Sequence, residues 1–192
     1  MSANLVVISG PSGAGKTELS HRLVGSGMAK KVISCTTRAP RPDEVNGKDY
    51  RFFSRQEFIA RIARGEFVEN AEVYEHLYGT LYTDLDREIA SGDVVMLVMD
   101  YQGLIRVASL YPEAQTFFLI APVRDLERRL NERKMNEDER QKRISAFARE
   151  LTDARSPFVR HIVDNSDGSL EHAFRRICDI ITAKTESSVR AD

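Results

Sequence analysis

The run Gly10-Pro11-Ser12-Gly13-Ala14-Gly15-Lys16-Thr17 begins one residue after the apolar stretch Leu5-Val6-Val7-Ile8. It fits G-x-x-x-x-G-K-[ST] in the strand-then-helix setting that the pattern requires. No other stretch constrains folding as much. A buried strand must deliver the chain to a tight glycine-rich turn, and a helix must leave from it. Backbone N–H groups of such a turn close around phosphate oxygens, and the helix adds the positive end of its dipole. Lys16 can reach the β- and γ-phosphates, and the Thr17 hydroxyl can sit on Mg²⁺. Gly10, Ser12, Gly13, Ala14, Gly15, Lys16 and Thr17 are therefore candidate contacts for a nucleoside triphosphate, with ATP and Mg²⁺ the expected pair.

The rest of the chain suits that loop. Leu5–Ile8, Val94–Met99 and Thr116–Ile120 are short, apolar and not alternating, as strands buried on both faces of a parallel sheet are. Lys31–Ser34 and His161–Val163 are weaker strand candidates. Helical patterns fall between them at Lys16–Val24, Gln56–Arg64, Asp84–Ser91, Gly103–Leu110, Arg124–Arg133, Glu137–Thr152 and Ser169–Thr182. This alternation predicts an α/β fold, a P-loop NTPase-type parallel sheet flanked by helices. At 192 residues and 42% hydrophobic content there is enough chain for one well-buried core. A net charge of −1 gives no reason to expect nucleic acid or an anionic membrane as partner. Cys35 and Cys178 lie far apart and read as cytosolic thiols. No apolar run approaches 18 residues, and no basic segment precedes a long apolar one, so neither export nor insertion is expected. A cytoplasmic protein, monomer or homodimer, is the expectation. The polar tail from Thr185 is expected to fray.

Two segments break the alternation. From Cys35 to Leu81 the chain carries Arg38-Ala39-Pro40-Arg41-Pro42, then Asn46-Gly47, then aromatic-rich pieces, which predicts a small inserted lobe of short strands and turns. Its Ser34-to-Pro42 stretch puts hydroxyls and two guanidiniums on a proline-stiffened turn, a set of donors suited to a dianionic phosphate. Tyr50 would add a phenolic donor. The second segment, Glu132–Arg143, holds Arg133, Lys134, Arg140, Lys142 and Arg143. A solvated helix face is the ordinary reading of such a run. Beside a triphosphate, those cations acquire a second one.

In order along the chain stand S-x-T-T-R-x-P-R from Ser34, E-V-N-G-K-D-Y from Glu44, Phe67-Val68-Glu69, Tyr78-Gly79-Thr80, and D-x-Q-G from Asp100. This series resembles guanylate kinase, and the resemblance runs from about Leu5 to Asp179. It implies a phosphotransferase that moves phosphate from ATP to GMP, and to dGMP. Ser34, Arg38, Arg41, Tyr50 and Tyr78 would hold the GMP phosphate. Glu69 would accept from guanine N1–H and the 2-amino group, Thr80 would donate to O6, and Asp100 would serve the base edge and the metal with Thr17. A carboxylate is the matching acceptor for guanine's two adjacent donors and would be left unpaired by adenine.

The charged segment resembles the family's lid, with Arg133 and Arg143 best placed and Arg129 or Arg140 as substitutes. Lys16, Arg41, Arg133 and Arg143 would be the catalytic cations. Val163-Asp164-Asn165 resembles the stretch around the adenine of ATP. The implied organisation is one domain with a core at 1–34, 82–128 and 146–192, an acceptor-binding lobe at 35–81, and a lid at 129–145. The chain departs from the family pattern at Asp43, Glu75 and Val98, where glycine, a small residue and a second acid are usual. Rival expectations are a kinase for another monophosphate, a modified purine nucleotide or a sugar phosphate, or a non-catalytic binding module. Retention of Lys16-Thr17 weighs against the last.

Overall fold

A computed structural model describes residues 4–73, 75–133 and 137–189. The chain runs through β1 (Leu5–Ser9), α1 (Lys16–Gly25), β2 (Lys30–Lys31), β3 (Cys35–Thr36) and β4 (Arg51–Phe52). There follow α2 (Arg55–Ala63), β5 (Phe67–Val73), β6 (His76–Leu81), α3 (Tyr82–Ile89), β7 (Val95–Val98) and α4 (Tyr101–Leu110). Last come β8 (Gln115–Ile120), α5 (Val123–Asn131), α6 (Glu137–Thr152), a 3₁₀ turn at Asp153–Arg155, β9 (His161–Asp164) and α7 (Leu170–Val189).

Five strands form a parallel sheet in the order β2-β7-β1-β8-β9. Successive residues of β1 enter opposite cores, as the two-residue period of a strand dictates. Val6 and Ile8 pack with Leu19 and Leu23 of α1, Leu126 and Leu130 of α5, Phe147 of α6, and Ala173 and Ile177 of α7. Leu5 and Val7 pack with Leu85 of α3 and Leu104 and Val107 of α4. Both faces are thus covered, which is why the strands read as continuous apolar runs. Each fully buried aliphatic side chain contributes about 1.5–3 kcal/mol.

The inserted segment forms a second sheet, ordered β4-β3-β6-β5, with α2 against it. Phe58 of α2 stacks on Phe67 at 4.4 Å between ring centroids, and Cys35, Leu77 and Leu81 complete a small apolar cluster. Ser54 caps α2 by accepting from the Glu57 N–H at 3.1 Å.

Two expectations are corrected. The strand expected at Lys31–Ser34 is only Lys30–Lys31. The Val32 N–H still donates to Met96 at 2.9 Å, but the Ser34 carbonyl accepts from the Arg51 N–H at 2.8 Å. The chain therefore changes sheets within three residues, and Ser34 stands at the junction. The tail expected to fray from Thr185 is helical to Val189. The Thr185 hydroxyl donates to Ile181 O at 3.0 Å, and Lys184 pairs with Glu113 at 3.1 Å. Residues 190–192 of that tail, and 134–136 of the expected lid, lie outside the described residues.

Candidate active site

The glycine-rich loop leaves the C-terminal end of β1 and enters α1 at Gly15, the N-cap residue, with φ 89°. That left-handed conformation suits glycine, and a Cβ here would also run into the Asn165 side-chain amide. No side chain caps α1, so its first-turn N–H groups face the loop's hollow. Lys16 Nζ donates to the loop's own carbonyls, Gly10 at 2.5 Å and Pro11 at 3.0 Å. Loss of solvation pulls its pKa down to about 8. Arg133 and Arg143 push the same way, and Glu150 and Asp100 oppose them. Burial, more than any neighbouring charge, is what disfavours the Lys16 cation.

Arg143 projects from α6 onto the loop, donating to Ser12 Oγ at 2.9 Å and to Glu139 at 2.5 Å. Arg133 keeps much of its surface in solvent but lines the same cleft as Lys16, Arg41 and Arg143. Thr17, Val98 and Asp100 also line it. Asp100 caps α4 by accepting from the Gly103 N–H at 2.8 Å. Burial raises its pKa, the condition of a carboxylate that gains from a cation beside it.

Across the cleft, Arg38 and Arg41 share one carboxylate, Glu44. Arg38 Nη2 donates to both of its oxygens, at 2.7 and 2.8 Å, while the Arg41 N–H reaches it at 2.9 Å and the guanidinium at 3.5 Å. The Arg41 side chain is otherwise exposed. Arg38 also lies 5.6 Å from the Tyr50 ring centroid, and the Tyr50 and Tyr78 rings meet edge-on at 6.2 Å. Ser34, Tyr50 and Tyr78 line the cleft with both arginines.

Glu69, on β5, is buried to 6% of its surface, and its Oε1 accepts from Thr80 at 2.8 Å. Its other oxygen faces α4, where a Cβ on Gly103 would come within 3.0 Å of it. Glycine at 103 is what admits the carboxylate. Desolvation, aided by Asp100 and opposed by Thr80, raises the Glu69 pKa to about 7. The Thr80 hydroxyl is committed to Glu69 here and must turn to reach a ligand.

Asp164 and Asn165 stand apart from these groups. Asp164 Oδ1 accepts from the Ser166 N–H at 3.1 Å and hydroxyl at 2.5 Å at the exposed end of β9. Asn165 is buried, its Nδ2 donating to Ala14 O at 2.8 Å, so it braces the loop from behind. Its Oδ1 is buried without a partner among the described residues. Arg140 pairs with Glu137 on the exposed side of α6.

Glu44 and Glu150 escaped notice as site residues in the sequence. Glu44 follows Arg41 by three and Arg38 by six residues on a stiff turn, a spacing that could have marked it. Glu150 lies seven residues after Arg143, two turns along one face of α6, and enters the same cleft.

The guanylate kinase family profile matches residues 2–184. The chain is 38% identical over 190 residues to the guanylate kinase of Myxococcus xanthus, covering 98% of this chain and 90% of that one. It is 37% identical to that of Hahella chejuensis, covering 94% and 86%. Among solved structures it resembles the guanylate kinase of Anaplasma phagocytophilum at TM-score 0.76 and 25% identity, covering 96% of this chain and 87% of that one.

Proposed function

The chain belongs to the guanylate kinase family, and from that premise we propose that it transfers the γ-phosphoryl group of ATP directly to the phosphate of GMP, giving ADP and GDP. The observation that carries the base assignment is Glu69, a buried carboxylate opening onto the cleft that also holds Lys16 and Arg41. Two adjacent donors on one edge of guanine match that carboxylate, and dGMP presents the same edge.

In this reading Ser34, Arg38, Arg41, Tyr50 and Tyr78 receive the acceptor phosphate, with Glu44 holding both guanidiniums in place beforehand. Thr80 turns from Glu69 toward O6. Gly10 to Thr17 receives the triphosphate, and Lys16 leaves its loop carbonyls for the phosphates, recovering the solvation that burial removed. Arg133 and Arg143 complete a positive wall where charge spreads over the transferred group. That charge is the main need of such a reaction, since positioning and electrostatics do most of the work. Asp164 and Asn165 are assigned to the adenine end of the ATP site, Asn165 acting through the loop carbonyl of Ala14 that it holds. Residues 35–81 form the acceptor lobe and 129–145 the lid, over a core of the remainder.

Mg²⁺ binds through one or two carboxylates together with phosphate oxygens and water. Asp100 would supply one such carboxylate and Thr17 a hydroxyl oxygen, while Val98 supplies no oxygen. When bound, the ion neutralises phosphate charge and orients the donor. No described helix is long and apolar enough to cross a membrane, and we assign the activity to the cytoplasm.

A coupled assay of ADP release over GMP, dGMP, AMP and sugar phosphates tests the reading. GMP should be used far better than AMP. Glu69→Gln should raise KM for GMP about tenfold or more, because a buried donor then faces a donor at a cost of about 1–3 kcal/mol. Its KM for ATP should stay within about twofold. Use of a sugar phosphate in preference to GMP, or an unchanged GMP constant in the variant, overturns the assignment.

A further inference from the structure

The sequence marks Arg129 as a possible lid cation, yet the structure turns it the other way. Its Nη1 donates to Gly13 O at 3.1 Å and its Nη2 to Asn165 O at 2.8 Å, so one guanidinium ties the triphosphate loop to the segment after β9. That guanidinium is aimed by Asp167, whose Oδ1 accepts from Arg129 Nε at 3.2 Å and Nη2 at 2.9 Å. Asp167 is itself gripped from outside by Arg128, at 3.1 and 2.8 Å, and this side is half exposed to solvent. Asn165 then holds the next loop carbonyl, Ala14, at 2.8 Å. Two consecutive carbonyls of the loop are thus fixed by side chains reaching from other elements. The Gly13 peptide thus braces the turn, its carbonyl held by Arg129 and its N–H, that of Ala14, donating to Pro11 O at 3.1 Å. The Ala14 carbonyl held on the outer side of the loop directs the N–H of its own peptide, that of Gly15, to the inner side, where a phosphate would lie.

We propose that Asp167 is a positioning residue of the donor-nucleotide site, acting through Arg129 to pre-form the loop that receives the triphosphate. The proposal rests on the assignment of that loop to ATP. It gives Arg129 a duty in the ground state, separate from that of Arg133 and Arg143. Misplacing the loop by a fraction of an ångström weakens donor binding and leaves the acceptor site, across the cleft, as it was.

The test compares Asp167→Asn, Asp167→Glu, Arg128→Ala, Arg129→Ala and the Asp167→Asn/Arg129→Ala double variant. ATP affinity is measured calorimetrically without GMP, followed by kcat and both Michaelis constants. Asp167→Asn should weaken ATP about 5–10-fold, with kcat and KM for GMP within about twofold. Asp167→Glu should regain most of that affinity. Arg128→Ala should change it by less than about twofold, because Arg129 still holds Asp167. The double variant should be no weaker than Arg129→Ala alone, as expected for two residues acting as one unit. Unchanged ATP affinity in Asp167→Asn overturns the proposal, whether or not thermal stability falls. So does additive loss in the double variant, or a fall confined to kcat, which would return Arg129 to the lid. Should the parent fail to phosphorylate GMP, the assigned reaction fails, while the ATP titration still decides the role of Asp167.

Discussion

Glu69 combines a buried position, a raised pKa and a proposed task that needs its ionised form. Desolvation holds its pKa at about 7, against an ordinary value of 4.5. Between those two pH values the folded state carries more protons than the unfolded state, so stability falls as pH rises through the window. Above pH 7 the ionised group is an electrostatic burden on the ligand-free protein. Glu69→Gln removes that burden and keeps an acceptor for Thr80. The variant should therefore be more stable than the parent at pH 8, by about 1–3 kcal/mol, and equal to it near pH 4.5. Urea unfolding at the two pH values measures this, and a variant less stable at pH 8 would show that the carboxylate is not a burden. Acceptor use follows the opposite course. In the parent, kcat/KM for GMP should drop as pH falls below about 7, because the carboxylate that accepts from guanine is lost.

At the scale of elements, α6 sets the distances across the catalytic floor. Arg143 and Glu150 share one face seven residues apart, about 10 Å along the axis, with Phe147 between them anchoring the helix in the core. Arg143→Ala and Arg133→Ala should each lower kcat by about 10²-fold or more with little change in ATP affinity. Arg140→Ala should do nothing measurable, since among the described residues Arg140 pairs with Glu137 in the first turns of its own helix. Single-turnover rates with matched ATP titrations would separate these cases. If Arg140 matters and Arg143 does not, the register of α6 in the site is wrong. Strand-then-loop order, both-sided burial of β1 and the turn that carries Arg38 and Arg41 were legible in the sequence, because local spacing and apolar runs report them directly. Glu44 and Glu150 were hidden, because a carboxylate's meaning depends on which cations the fold brings to it. The shortened β2 was equally hidden, since only the carbonyl of Ser34 and the N–H of Arg51, distant in sequence, decide where that strand stops. Thr185 read as tail for lack of apolar residues, though its hydroxyl and Lys184 hold the last turns of α7.

On the scale of the whole molecule, the inserted sheet packs on the main core through Val68 of β5, and two ion pairs of different strength among the described residues add to that contact. Arg51 of β4 grips the buried Asp84 of α3 with two bonds of 2.8 Å. Glu75, at the tip of the β5–β6 hairpin, reaches Lys142 of α6 at 2.6 Å. Glu75 does so with φ 70°, a conformation costly for any residue but glycine. Both partners of the second tie are exposed, so it biases the approach of hairpin to α6 only weakly, by less than about 1 kcal/mol. Lys142→Glu should raise the GMP Michaelis constant by up to about fivefold in dilute buffer, and adding Glu75→Lys should reverse this. At 0.5 M salt the three proteins should be alike within error. A deficit that persists in salt or in the charge-swapped pair would assign Lys142 some other duty. One further consequence belongs to the molecule in its solvent. Because burial raises the Glu69 pKa to about 7 and the proposed contact with guanine needs the ionised carboxylate, uptake of GMP near neutral pH should release protons from this group into the medium. Occupancy of the acceptor site is thereby tied to ambient acidity, with acidification expelling the nucleotide and nucleotide binding acidifying the medium in return.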